Sequence, residues 1–258
     1  MINDPQFYLT AVLAVIIIGV AKGGLAGGIG MVGVPLMALT IGPVRAAAIM
    51  LPILMVMDLL AVRAYWFKWK NIHLVWLLPG AALGTLAGWL SFQYLSVSLL
   101  KLMVGLVAVT YSTSFWWKRK NADGSEERPL AAVLWGSLSG FTSFSIHAGG
   151  PPLHSYLLGR KLDRTEFQAT TVAFFFLVNW MKLGPYYLLD QLNFDNLLTS
   201  LFLLPLAPLG IYLGTALHQR IKGNTFYKVI YVSLFLIGLK LCWEGIEESG
   251  LISFMERL

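Results

Sequence analysis

Lys22-Gly-Gly-Leu-Ala-Gly-Gly-Ile-Gly-Met-Val-Gly-Val-Pro35 and His147-Ala-Gly-Gly-Pro-Pro152 interrupt two long apolar stretches, 7–40 and 130–159. As single helices these stretches would be ~51 Å and ~45 Å long at ~1.5 Å rise per residue, against a hydrocarbon layer of ~30 Å. Glycine weakens a helix at such a point, and proline removes a hydrogen bond from its ladder. Each stretch is therefore expected to fold as a pair of short or re-entrant helices that meet at its glycines. Backbone freed by a break cannot face lipid and is tolerated only against protein or a water-filled cavity. Two breaks imply a cavity.

Around the breaks lie six further apolar blocks, 44–67, 72–94, 99–117, 167–189, 194–217 and 226–243. Each is long enough to cross a bilayer at roughly 20 residues per span. The whole chain has 258 residues, 57% hydrophobic and 12% charged, which excludes an ordinary soluble globular protein. Its net charge of +6 is assigned to loop cations that anchor the spans, so no nucleic-acid partner is expected. One cysteine, Cys242, supports neither a disulfide framework nor a cysteine metal site within one chain. Four histidines without a His-Glu-x-x-His pair, and no Gly-x-Ser-x-Gly elbow, give no metal site, no cofactor and no catalytic residue to name. The polar N-terminus, Met1 to Gln6, lacks the basic region and cleavage site of a signal peptide, and the first apolar block is expected to be retained.

The segment 118–129 is the only extended hydrophilic run, and it divides the chain into halves that match in order. Gly33-Val-Pro-Leu36 faces Gly150-Pro-Pro-Leu153, Arg45 faces Arg164, and Asp58 faces Asn179. Tyr65-Trp66 faces Tyr186-Tyr187, Leu77-Leu-Pro79 faces Leu203-Leu-Pro205, and Gly84 and Gly88 face Gly210 and Gly214. The loop with Arg63, Lys68 and Lys70 is basic, whereas its counterpart from Asp190 to Asp195 has no Lys or Arg; in that half the basic loops hold Arg160, Lys161 and Arg164, then Arg220, Lys222 and Lys228. The basic side switches between halves, as inverted topology requires. The expected architecture is an all-α polytopic membrane protein of two inverted repeats. Each repeat has a broken or re-entrant helix pair plus three spans, with a first repeat at 1–117, a cytoplasmic connector at 118–129 and a second repeat at 130–258.

The chemistry is expected at the breaks. Glycine leaves its amide open, and a half-helix that starts there presents the positive end of its dipole to the cavity, so the favoured occupant is an anion. The first break offers Lys22, Gly23, Gly24, Gly27, Gly28, Gly30 and Pro35; the second offers Thr142, Ser143, Ser145, His147, Gly149, Gly150, Pro151 and Pro152, and Asn179 joins them from a spanning block. Gly80, Gly84, Gly88, Gly210 and Gly214 read instead as close-packing glycines. Lys22 reads equally as a site cation or as a snorkelling side chain, and for Lys182 snorkelling is the favoured reading. Asp58, mid-block, is a candidate proton carrier, a counter-charge to Lys22, or a structural hydrogen-bond acceptor. His147 and His154 frame the second turn and could titrate near neutrality, although a hydrogen-bonded spacer is the commoner role.

These residues resemble a family. A Gly-rich first break ending in Gly-Val-Pro-Leu, a second ending in Gly-Gly-Pro-Pro-Leu-His-Ser-Tyr-Leu-Leu, and matching halves are similar to the sulfite exporter TauE/SafE family over roughly residues 10–243. The resemblance implies a multi-pass carrier of the cell inner (plasma) membrane that moves sulfite, a sulfonate or a related small anion. The motif glycines and prolines named above carry over with it: Gly23, Gly24, Gly27, Gly28, Gly30 and Pro35, then Gly149, Gly150, Pro151 and Pro152. The expected function is a secondary transporter of a small oxyanion, with proton coupling through Asp58 as one option. An anion channel is the nearer alternative and an intramembrane enzyme the more distant one. The partners expected are a small anionic substrate and the lipid bilayer, with a homodimer left open.

Overall fold

A computed structural model describes all residues except 1, 3, 27–29, 31–32, 93, 95, 119–128, 161 and 249–258. Among the described residues there are twelve helices and no strand. In chain order they are α1 (Pro5–Gly24), α2 (Gly33–Ile41), α3 (Pro43–Ala64), α4 (Asn71–Ser91), α5 (Val97–Lys118) and α6 (Pro129–Ile146), then α7 (Gly150–Leu158), α8 (Arg164–Met181), α9 (Leu183–Leu188), α10 (Phe194–Leu203), α11 (Leu206–Arg220) and α12 (Gly223–Glu248). By length and apolarity α1, α3, α4, α6 and α12 can each cross a membrane, and α10 with α11, bent by 47° at Leu204-Pro205, makes a sixth candidate. Large apolar side chains on the outer surface fit a lipid solvent: Leu9 is 69% exposed, Leu83 60%, Phe202 67% and Leu236 59%.

Local sequence explains where helices start. Asp4 accepts a hydrogen bond from the Gln6 amide, Asn193 from the Asn196 amide, and Asp163 forms a capping box with Glu166, so orphan donors of the first turns are satisfied. The two breaks begin alike. After α1, the Leu25 N–H donates to Ala21 O and Ala26 takes a left-handed φ of 52°. After α6, the His147 N–H donates to Ser143 O, the Ala148 N–H to Thr142 O, and His147 has φ 52°. A left-handed residue that closes a helix end while its neighbours satisfy the last carbonyls is a known way to stop an α-helix. Here Ala and His fill it, not glycine.

The structure differs from expectation in two respects. Blocks 167–189 and 194–217, expected as single spans, are interrupted at Lys182 and at Leu204-Pro205, where Pro185 and Pro205 lack the N–H a continuous helix needs. The two glycine-rich breaks differ as well. The first member of each pair is long, 20 residues in α1 and 18 in α6, and only the second is short, 9 residues in α2 and in α7. The cause is that the glycines and prolines crowd toward the C-terminal side of each stretch, so the helix propagates until it meets them. The short members turn back. Gly33 lies against Ala14 and Ile18 of α1, and Tyr156 of α7 stacks edge-on against His73 at the start of α4, the helix that runs parallel to α6.

Glycines set the packing. A Cβ added at Gly84 would sit 1.9 Å from Ser137 O, and one at Gly140 2.2 Å from Ala81 O, so α4 and α6 touch backbone to backbone. The α1–α11 crossing is built the same way, with Gly24 against Gly214 O and Gly19 against Gly210. The expected packing role of Gly80, Gly84, Gly210 and Gly214 is what the structure shows, and Gly88 abuts the Phe144 ring. Among the described residues two large apolar cores and two smaller clusters result. One large core gathers α1, α2 and α3 with Leu203, Ala207 and Ile211 of α10 and α11; the other gathers α7 and α8 with Leu74, Leu77 and Ala81 of α4 and Phe226 and Ile230 of α12. Each core draws helices from both halves of the sequence.

Candidate functional site

A line of buried polar side chains links the two breaks. Lys22, in the last turn of α1, forms an ion pair with Asp58 of α3, and its ammonium also lies 3.4 Å from Leu54 O. The other Asp58 oxygen accepts from Asn179 Nδ2 at 2.7 Å. That bond turns Asn179 Oδ1 toward Lys182, whose Nζ donates to it at 3.1 Å. Lys182 Nζ lies 3.3 Å from His147 Nδ1, and His147 Nε2 faces Ala47 O and the Tyr186 hydroxyl, each at 3.2 Å. Tyr186 donates to Phe144 O at 3.1 Å. Asp58 and Lys182 are both 0% exposed.

Three helix breaks and a proline inside α3 build this line. Pro52 inside α3 lacks an N–H, and the carbonyls of Ala47 and Ile49 near it accept from His147 and Ser200. Lys182 stands at the junction of α8 and α9, just before Gly184-Pro185. Gln168 braces the first break from α8, donating to Lys22 O and accepting from the Ala26 amide. Ser139 braces the second, its hydroxyl donating to Gly149 O at 2.7 Å.

Beside this line lies a cavity of about 70 Å³. A single water needs roughly 10–15 Å³ of such volume, so the space suits a small anion or a few waters and not a large organic molecule. Ile18, Val34, Leu54, Val172 and Phe175 form its apolar wall; Lys22, Gly30, Ser143, His147, Gly150, Thr171 and Asn179 form its polar one. The buried Thr171 hydroxyl has no hydrogen-bond partner among the described residues. An orphaned buried hydroxyl costs about 1–3 kcal/mol, and a bound polar ligand would recover it.

Of the residues expected at the site, Lys22, Gly30, Ser143, His147, Gly150 and Asn179 come together on the wall. Asp58 stands behind it as the counter-charge to Lys22, one of its three expected roles. Gly23 and Gly24 face α11 backbone, where an added Cβ would fall 2.6 Å from Ile211 O and 2.0 Å from Gly214 O. Thr142 and Ser145 spend their hydroxyls on their own helix, donating to Leu138 O at 2.8 Å and Phe141 O at 2.9 Å. Gly149 is pressed against Ser139 and Ser143. Pro35 lies in the first turn of α2, and Gly27 and Gly28 lie outside the described residues. Pro151 and Pro152 fill the first turn of α7 and carry no N–H, so that turn offers the Gly150 amide alone and not the row of open amides that its glycines suggest.

Snorkelling of Lys182 is corrected outright, because the side chain is wholly buried and bonded to Asn179. Gln168, Thr171 and Tyr186 are also additions. A signal for all four exists in the sequence: Gln168, Thr171, Phe175, Asn179, Lys182 and Tyr186 recur at spacings of three, four, four, three and four, one face of a helix. His154, by contrast, is buried against the Phe167 ring away from the line.

No curated protein and no solved structure matches the chain. A family model does, over nearly the whole of it. The sulfite exporter TauE/SafE model covers residues 11–241, and the chain belongs to that family of membrane transporters.

Proposed function

We propose that the protein is a secondary transporter of the inner membrane that carries a small oxyanion, such as sulfite, an organosulfonate or a close relative, through the cavity between the two breaks. One observation carries this reading: the buried line holds two lysines and one carboxylate. Asp58 neutralises Lys22. Lys182 is left with neutral partners, Asn179 and His147. A buried cation without a counter-charge costs several kcal/mol, and an anion in the adjoining cavity would offset that cost. The small volume favours the compact end of the substrate range.

An inverted repeat, 1–117 against 130–258, is part of the proposal. Support comes from packing that exchanges halves: α1 with α11 mirrors α6 with α4, α5 pairs with α12, and α3 pairs with α8. A left-handed non-glycine residue, Ala26 or His147, also stops the long first member of each broken pair. An inverted pair places one break toward each face, as alternating access requires.

The test is exchange in proteoliposomes. Labelled sulfite should enter vesicles faster when unlabelled sulfite is preloaded, and Lys182→Gln should lower that exchange at least about tenfold, the order expected for losing a charge-assisted contact. Saturable counterflow separates a carrier from a channel, which conducts without exchange. Undiminished exchange by Lys182→Gln would remove the argument on which the reading stands.

A further inference from the structure

The contact between Lys182 and His147 fixes more than a location. Lys182 Nζ and His147 Nδ1 are 3.3 Å apart; with Lys182 as an ammonium, which can only donate, Nδ1 is the acceptor and unprotonated. Nε2 faces the Ala47 carbonyl, which can only accept, so the ring proton sits there. His147 is therefore neutral in this arrangement, and protonating it would set two cations face to face. The charged groups around the pair are Lys22 from α1, Asp58 from α3 and Lys182 itself; Asn179 from α8 and Tyr186 from α9 add neutral dipoles. With Lys22 and Asp58 cancelling, the side chains of the site sum to one positive charge.

We infer that His147 carries the proton that accompanies a doubly charged substrate, and that the site holds the sum of substrate and proton at one negative charge. This rests on the reading of the cavity as an anion site and moves proton coupling from Asp58, already ion-paired, to the histidine on the cavity wall. A monoanion balances that charge by itself. A dianion leaves one negative charge in excess in a low-dielectric space, and that field draws one proton onto Nδ1 of His147, which then turns from Lys182 toward the anion. The proton comes from water on the side to which the cavity opens and leaves with the substrate on the other side. A sulfite dianion would thus move with one proton, and a sulfonate monoanion with none.

Calorimetric titration of the detergent-purified full chain, in two buffers of different ionisation enthalpy, counts protons taken up per anion bound. At about pH 8.5, well above the ordinary histidine range, sulfite should take up about one proton and methanesulfonate about none. His147→Asn suits the left-handed backbone at this position and keeps an acceptor for Lys182 near the Nδ1 position, but it stops short of Ala47 and does not titrate. Its count with sulfite should fall to about none, at whatever affinity remains. Equal counts for the two anions in the wild type overturn the inference. So does a count of one in His147→Asn, which places the proton on the anion, and so does a folded His147→Asn protein that binds neither, which makes His147 a ligand only. If neither anion binds the wild type, the anion reading itself has failed.

Discussion

Lys182 and Asp58 are both fully buried ionisable residues, yet they relate to stability in opposite ways. Asp58 has a partner of opposite charge, so Asp58→Asn leaves Lys22 as an uncompensated buried cation; breaking a buried pair in this way costs about 3–5 kcal/mol. Lys182 has only neutral partners, so Lys182→Gln removes an unbalanced charge while keeping a donor for Asn179. In detergent melts Asp58→Asn should lose thermal stability and yield, whereas Lys182→Gln should melt at or above the wild type while losing exchange. A residue that weakens the fold and is needed for transport is held for function. Equal destabilisation by both substitutions would mean that Lys182 is a structural member of the line and not an anion ligand.

At the scale of the helix pair, the glycines divide into two kinds that look alike in sequence. Gly30 and Gly150 reach the cavity; Gly84, Gly140, Gly24 and Gly214 join helices. The second kind tolerates no side chain, because the nearest atoms are carbonyl oxygens of a facing helix and not the ends of flexible side chains. Gly84→Val should therefore exceed the ~3 kcal/mol upper end of ordinary overpacking penalties and collapse the monodisperse peak in size-exclusion chromatography. Leu83→Val, one residue away on the lipid side and 60% exposed, should leave that peak intact. A normal elution profile for Gly84→Val would show that α4 and α6 can part without loss of the fold.

For the molecule as a whole, the placement of the loops is the decisive matter. Lys70 forms an ion pair with Glu166 at 2.5 Å, which holds its ammonium above the usual lysine value, and Arg164 donates to His218 O at 3.0 Å. These contacts draw the 65–70 loop, the start of α8 and the end of α11 to one end. At the opposite end Arg45 Nε donates to Asn196 Oδ1 at 3.2 Å, close to the 189–193 loop. In a Cys242→Ser background, single cysteines at Lys68 and Asp190 should react with an impermeant maleimide from opposite faces of the membrane. Labelling from one face would rule out the inverted arrangement.

The sequence by itself determined that this chain lives in a membrane, that it breaks at two glycine-rich points and which family it belongs to, because these depend on composition, on hydrophobic run length and on where glycine clusters. Those signals are local, and each residue carries its own share of them. The further interruptions at Lys182 and at Leu204-Pro205, inside blocks read as single spans, came from the structure. Which glycine opens onto a cavity and which one joins two helices was decided by tertiary structure alone, since the difference lies in what another helix brings within 3 Å. The same holds for Lys182. Its spacing from Thr171 and Asn179 marked one face of α8, but a lysine near a block end reaches water as easily as a core until the neighbouring helices close over it. The pairing of Lys22 with Asp58 joins residues 36 apart, and Asn179 joins Asp58 across 121. The charge left over at Lys182 is a sum over three helices, and no single stretch of sequence contains that sum.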